Sequence, residues 1–166
     1  MPRAEQGVRR DRYSVIPRVL IFIFRGDEVL LLKGSPKKRI WPNRYNGIGG
    51  HVERGEDVLS AARRELNEEA GIQVDPLILC GTILVDTGEA KGISIYVYKG
   101  EYQSGELIAS GEGTLEWMEM KALDKFALVE DLKVILPRVH KKVSSSMPFS
   151  AIYHYDADDI LCIDFG

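Results

Sequence analysis

Apolar positions follow two different periods along this chain. Residues 18–24 form a nearly unbroken apolar run, Gly26-Asp27 is a turn signal, and Val29 to Leu32 is a second run, so a β-hairpin is predicted there. Strand-like runs recur at 78–85 and 93–98, separated by a glycine-bearing turn, and a short one at 114–118. Between the hairpin and these runs the period lengthens: Val58, Leu59, Ala62 and Leu66 fall on one stripe of a helix. A second helix is predicted over 128–139 despite Pro137, with Val129, Leu132, Ile135 and Leu136 as its apolar stripe. The segment 34–45, with Pro36, Pro42 and the basic group Lys37, Lys38 and Arg39, reads as a surface loop leading into a short strand around 46–52. Ser144 to Ser146 break the chain, and the tail alternates through 151–155, turns at 156–159 and alternates again through 160–165, as a hairpin does. Strands flanking one helix, then a second helix, predict an α/β sandwich. The expected organisation is one domain over 1–143 and a hairpin extension over 144–166 packed on it.

Composition narrows the setting. A chain of 166 residues with 45% hydrophobic content is long enough for one core without disulfides or a structural metal. Its net charge of −3, with scattered basic residues, argues for a small-molecule partner and against a nucleic-acid polymer. Cys80 and Cys162 match no zinc or redox spacing and read as buried fillers in a reducing compartment. The first residues, through Arg12, are charged with no adjoining apolar segment of export type. No stretch approaches the roughly 20 apolar residues that span a bilayer, so no membrane and a cytoplasmic location are expected.

The first helix carries the chemistry. Glu65, Glu68 and Glu69 stand at i, i+3 and i+4, so their carboxylates project from one face within about one turn. Like charges that close call for a cation among them. Oxygen-only ligands suit Mg²⁺, with Mn²⁺ as substitute, better than zinc, because no His or Cys lies near in sequence. Arg64 reaches Glu68 at i+4, and Gly71 follows the last turn, where a left-handed residue closes a helix. Gly47, Gly49 and Gly50 before the helix allow the main chain to approach a ligand.

Gly50, then Glu56, then Arg64-Glu65-Leu66-Asn67-Glu68-Glu69-Ala70-Gly71-Ile72 resembles the complete signature of the Nudix hydrolase family. The signature covers only residues 50–72 of 166, but the order of predicted segments around it also resembles a Nudix domain, which implies a mixed β-sheet sandwiched between α-helices. The resemblance implies hydrolysis of a diphosphate bond in a nucleotide, with water as nucleophile. By position it implies Glu65 and Glu69 as principal metal ligands, Glu68 sharing, and the Gly50 carbonyl contributing, with Glu56 supporting the loop. Catalytic roles would fall to Glu69, Glu65, Arg64 and Glu112. The family places its general base either within this segment or on a later loop, and both stay open. Glu112, in Ser110-Gly111-Glu112-Gly113-Thr114-Leu115-Glu116-Trp117, resembles the loop of MutT-type members where a glutamate joins the metal site; Glu116 is expected to point outward. Asn46-Gly47-Ile48-Gly49-Gly50 resembles the stretch of oxidised purine nucleoside triphosphatases whose asparagine contacts the base. Tyr45 stands where that subgroup often has tryptophan, and Trp117 is a candidate for stacking on the base. These resemblances imply a nucleoside triphosphate substrate such as 8-oxo-dGTP. ADP-ribose, a dinucleotide or a nucleotide sugar is the alternative, disfavoured by Thr87 where ADP-ribose enzymes often have proline; a nucleotide-binding sensor is the non-enzyme alternative. The tail hairpin resembles extensions in bacterial MutT-like members and would pack on the domain or on a second copy, which leaves a homodimer open.

Overall fold

The computed structural model describes residues 2–7, 11–37, 39–108 and 110–166; Lys38 of the basic loop lies outside them. β1 (Ser14–Arg25) and β2 (Glu28–Gly34) form the predicted antiparallel hairpin, in a register that pairs Phe24 with Val29. Tyr45–Asn46 is a two-residue β3 on β2, after which the chain makes only isolated bridges, Ile48 with Ile21 and His51 with Arg18. Helix α1 (Val58–Ala70) follows, then β4 (Ile78–Val85), β5 (Lys91–Glu101) and β6 (Gly113–Glu119). β5 lies parallel to β1, β4 antiparallel to β5, and β6 antiparallel to β2. A short 3₁₀ turn, Met120–Lys125, leads to α2 (Leu132–His140), and the tail supplies β7 (Phe149–Tyr155) and β8 (Leu161–Phe165). The strand order is β3-β2-β1-β5-β4-β7-β8, with β6 on β2.

The apolar run of β1 is unbroken because both of its faces are covered. Leu20, Phe22 and Phe24 pack with Ile83, Val97, Leu132, Ile135 and Leu136 on the α2 face. Val19, Ile21 and Ile23 pack with Ala61, Ala62, Leu66 and Ala70 on the α1 face. The alanines let α1 lie close to the sheet, which brings its carboxylates to the end of β1. Of the stripe that periodicity marks, Val58, Leu59, Ala62 and Leu66, the first two are only partly buried, and Ala61 and Ala70 complete the contact.

The tail adds two strands to the same sheet. β7 runs parallel to β4, with Gly81 opposite Phe149, and the alternation holds: Ala151 and Tyr153 are buried and Ile152 is exposed. Cys80 is buried as expected, whereas Cys162 sits half-buried on β8. The α2 stripe is correct but its start is not. Tyr45 donates its N–H to the Ala127 carbonyl and accepts from Val129 N–H, so residues 127–129 run extended beside β3 and the helix begins only at Leu132. Among the described residues no helix is long and apolar enough to cross a membrane.

Candidate active site

α1 is fixed at both ends by its own sequence. Asp57 is the N-cap, its Oδ1 accepting from Leu59 N–H at 2.9 Å and Ser60 N–H at 3.0 Å. Gly71 closes the helix at φ 69°, donating to the Asn67 carbonyl at 3.0 Å. Between these caps the three glutamates have different surroundings. Glu69 is 6% exposed and its Oε2 accepts the Gly49 N–H at 3.1 Å. Glu65 keeps 13% of its side-chain surface and Glu68 56%, so Glu65 and Glu69 form the interior pair and Glu68 the solvent side.

Arg64 organises this pair. Its Nε and Nη2 fork onto Glu56 at 3.1 and 2.7 Å, Nη1 reaches Glu65 at 2.9 Å and Glu68 at 3.0 Å, and Nη2 also donates to the His51 carbonyl at 2.9 Å. The i+4 contact to Glu68 expected from spacing is therefore one of several, and the fork onto Glu56 ties the loop before α1 to the helix. Arg64 is the main reason the Glu56 carboxyl is held below the usual glutamate range, aided by the Glu53 N–H. Glu65 moves the other way: burial raises it, the Glu68 and Glu112 carboxylates add to the rise, and Arg64 opposes it.

Gly50 lies against Glu65, where a Cβ would come within 2.4 Å of the carboxylate. Its carbonyl accepts the Val19 N–H at 2.9 Å, which leaves one of its two lone pairs. Two part-desolvated carboxylates beside a bare main chain, one of them resisting ionisation, fit a hard divalent cation. In the present side-chain arrangement, with Arg64 on Glu65 and Glu68, no three acidic, histidine or cysteine side chains among the described residues converge as a closed metal cage.

These groups stand at one end of a cleft of about 490 Å³. Asn46, Gly50, Glu65, Glu69 and Glu112 all line it. Asn46 Oδ1 accepts its neighbour Gly47 N–H at 2.8 Å, so the side chain shapes the loop as well as facing the cleft. Glu112 reaches the cleft because its carbonyl accepts the Ser35 N–H at 2.9 Å, binding its loop to the end of β2.

Two expected substrate residues, Tyr45 and Trp117, are not among those lining the cleft. Tyr45 is buried in the α2-face core, edge-on to Phe126, and its hydroxyl donates to Glu116 Oε2 at 2.9 Å. That bond also turns Glu116 toward Tyr45 rather than outward. Trp117 pairs across β2 with Leu30, stands edge-on to Tyr102 and carries the Arg25 guanidinium 4.4 Å above its ring. The alternation of β6 thus sends Trp117 to the α1 face, away from the cleft. Trp41 lines the cleft instead, 47% exposed, on a left-handed backbone at φ 54° that is unusual for so large a residue. Arg18 and Asp131 also line the cleft, and neither is singled out by sequence reasoning. Burial holds the Asp131 carboxyl above the ordinary aspartate range, with the Tyr153 hydroxyl opposing. The available signal for Arg18 is a lone charge at the head of an apolar run; for Trp41 it is a tryptophan in a proline-bearing loop. Asp131 carries none, since it looks like one more polar residue of a helix.

The NUDIX domain profile matches residues 15–139, and the chain belongs to the Nudix family. It is similar to the oxidized purine nucleoside triphosphate hydrolases of Danio rerio, 33% identical over 61% of this chain, and of Mus musculus, 30% identical over the same share. In both cases the chain covers 64% of the relative, less than two thirds of its length. It is also similar to the NAD-capped RNA hydrolase NudC of Pseudomonas aeruginosa, 32% identical over 64% of this chain and 37% of that protein. Among solved structures, the mutator MutT protein of Bacillus halodurans superimposes with a TM-score of 0.72 at 25% identity, over 90% of this chain and 97% of that one.

Proposed function

We propose that this chain is a metal-dependent Nudix hydrolase of the MutT-like kind, cleaving a nucleoside triphosphate to the monophosphate and pyrophosphate, with an oxidised purine such as 8-oxo-dGTP as the base-bearing substrate. The observation that carries this reading is the interior pair Glu65 and Glu69, held by Arg64 and the Gly49 N–H at the foot of a nucleotide-sized cleft. The relatives named for oxidised purine nucleotides support that choice of substrate.

Glu65 and Glu69, with Glu68 at the solvent side and the Gly50 carbonyl, would hold Mg²⁺ or Mn²⁺. The ion, when bound, neutralises phosphate charge and acidifies water. The protein supplies the rest. Gly49 N–H fixes one oxygen of Glu69, Arg64 fixes one of Glu65, and Glu56 anchors Arg64, so the carboxylates are oriented before substrate arrives. Water attacks one of the two phosphorus atoms that flank the α–β bridging oxygen, the bond from that phosphorus to the bridging oxygen breaks, and the departing half, pyrophosphate or the monophosphate, takes the bonding electron pair. The proton of the attacking water passes to a carboxylate, either one within the α1 segment or Glu112 beside it in the cleft. Asn46, Trp41 and Asp131 provide the surface for the base. The NudC relative favours one second reading, a dinucleotide whose central diphosphate is cut at the same pair.

The test is a hydrolysis panel with purified protein and a Glu69→Gln control. It covers oxidised and ordinary nucleoside triphosphates, ADP-ribose and dinucleotides, with and without Mg²⁺, and products separated by chromatography. Pyrophosphate and a monophosphate from one triphosphate, absent in the control, are expected. Turnover of a dinucleotide alone replaces the substrate, and binding without turnover replaces the enzyme by a sensor.

A further inference from the structure

We propose that Arg18 is a phosphate-binding residue of the cleft, clamping the polyphosphate from the side opposite the carboxylates; this rests on the reading of the cleft as a nucleotide site. β1 from Val19 to Phe24 is buried without exception, and Arg18 is the charge placed immediately before that run.

Its side chain is left unfinished by the protein itself. The Arg18 Nε is buried and has no hydrogen-bond acceptor, a cost that folded proteins rarely leave unmet. Four other arginines show the alternative, with Arg25 on Glu28, Arg63 on Asp75, Arg64 on Glu56, Glu65 and Glu68, and Arg138 over the Phe165 ring. Arg18 shares a cleft with Glu53, Glu65, Glu69, Glu112 and Asp131, yet its buried Nε finds no acceptor there. A buried guanidinium N–H left without a protein acceptor is matched by an anion that arrives with the ligand.

The backbone fixes where that anion lies. Arg18 bridges His51, and the next residue, Val19, donates to the carbonyl of Gly50, the glycine packed on Glu65. Arg18 therefore stands at the carboxylate end of the cleft. Along β1 it shares the parity of Leu20 on the α2 face, whereas the carboxylates come from α1 on the other side. A phosphate chain entering between them would meet a metal-binding pair on one side and a planar five-donor fork on the other. That fork matches two oxygens of one phosphate, which a lysine cannot do.

The decisive measurement is calorimetric binding of inorganic tripolyphosphate, with Ca²⁺ in place of Mg²⁺, to the parent, Arg18→Gln and Arg18→Lys. This probe carries phosphate and no base, and its binding does not depend on turnover. Arg18→Gln should weaken it roughly ten- to hundredfold, and Arg18→Lys should recover part of the loss. The KM of the triphosphate turned over in the panel should rise by the same factor while kcat changes less. Binding of the matching unphosphorylated nucleoside should not change. Unaltered tripolyphosphate affinity in Arg18→Gln overturns the proposal. So does an equal loss for the nucleoside, because that is the signature of a distorted cleft. If the parent hydrolyses no nucleotide but the tripolyphosphate loss appears, Arg18 stands and the hydrolase reading falls.

Discussion

The two ends of the cleft are built in contrasting ways. The carboxylate end comes from one continuous stretch, Gly49 to Gly71, whose side chains are tied to one another by Arg64, the Asp57 cap and the Gly49 N–H. The other end is assembled from scattered segments: Arg18 on β1, Trp41 and Arg44 in the loop after β2, Asn46 on β3, Glu112 before β6 and Asp131 before α2. The first end is dense in fixed hydrogen bonds. The second holds an unpartnered guanidinium nitrogen and a half-exposed tryptophan. Chemistry on phosphate needs carboxylates prepositioned against their own repulsion, which a short helical stretch can do alone. Recognition needs surface that is completed by the ligand.

The contrast would break most visibly at Glu69. Glu69→Gln keeps the size and the acceptor for Gly49 N–H but removes the charge, and kcat should fall about a thousandfold with the melting temperature nearly unchanged. Activity close to the parent's would remove this end of the cleft from the chemistry. Gly50→Ala asks the same question through the backbone. Its Cβ would meet the Glu65 carboxylate at 2.4 Å, so the carboxylate must move. We expect about a hundredfold loss in activity and a higher metal concentration at half-saturation. A loss of activity with an unshifted metal titration would mean that Glu65 acts on substrate rather than on the ion.

The same contrast explains which parts of the molecule are legible in its sequence. Helical spacing of Glu65, Glu68 and Glu69, and Gly71 as terminator, are local facts, and the helix they predict is the helix observed. The hairpins are legible because a turn between two apolar runs is also local. The start of α2 is not. It is set by hydrogen bonds from residues 127–129 to Tyr45, far away in sequence, and no local pattern encodes them. Where the side chains of Tyr45 and Trp117 pack is illegible for the same reason: which face a strand residue takes depends on register with a distant partner, here Leu30 for Trp117. Arg18, Trp41 and Asp131 meet only through the sheet.

The pair of tryptophans sharpens the comparison at the recognition end. Trp41→Ala should raise KM for the nucleotide roughly tenfold by removing a stacking surface, and leave the melting temperature near the parent's. Trp117→Ala should do the reverse. It removes a ring packed on Tyr102 and under Arg25, so stability should drop by roughly 2 kcal/mol with KM unchanged. Equal KM effects from both would return Trp117 to the substrate surface and dissolve the division between the two ends.

The smallest effect tests whether the carboxylate end is specified by its own stretch. Asp57→Ala removes the cap of α1 and should lower the melting temperature by about 2–4 °C at neutral pH, leaving kcat at 25 °C near the parent's. The sign of its pH dependence follows from the cap. The Ser60 hydroxyl and the N–H groups of Ser60 and Leu59 stabilise ionised Asp57 and hold its carboxyl below the ordinary aspartate value. A carboxyl depressed on folding adds stability above its unfolded pKa, about 3.9, and loses it as pH falls through the lower folded value. The gap between parent and Asp57→Ala should therefore be constant from neutral pH down to about 4 and close below it. Asp57→Asn, which keeps a neutral oxygen for the same N–H groups, should track the parent at neutral pH and show little of the closure. A gap that widened on acidification would mean that Asp57 acts through charge repulsion with its glutamate neighbours, and the helix would then owe its position to the site rather than the site to the helix.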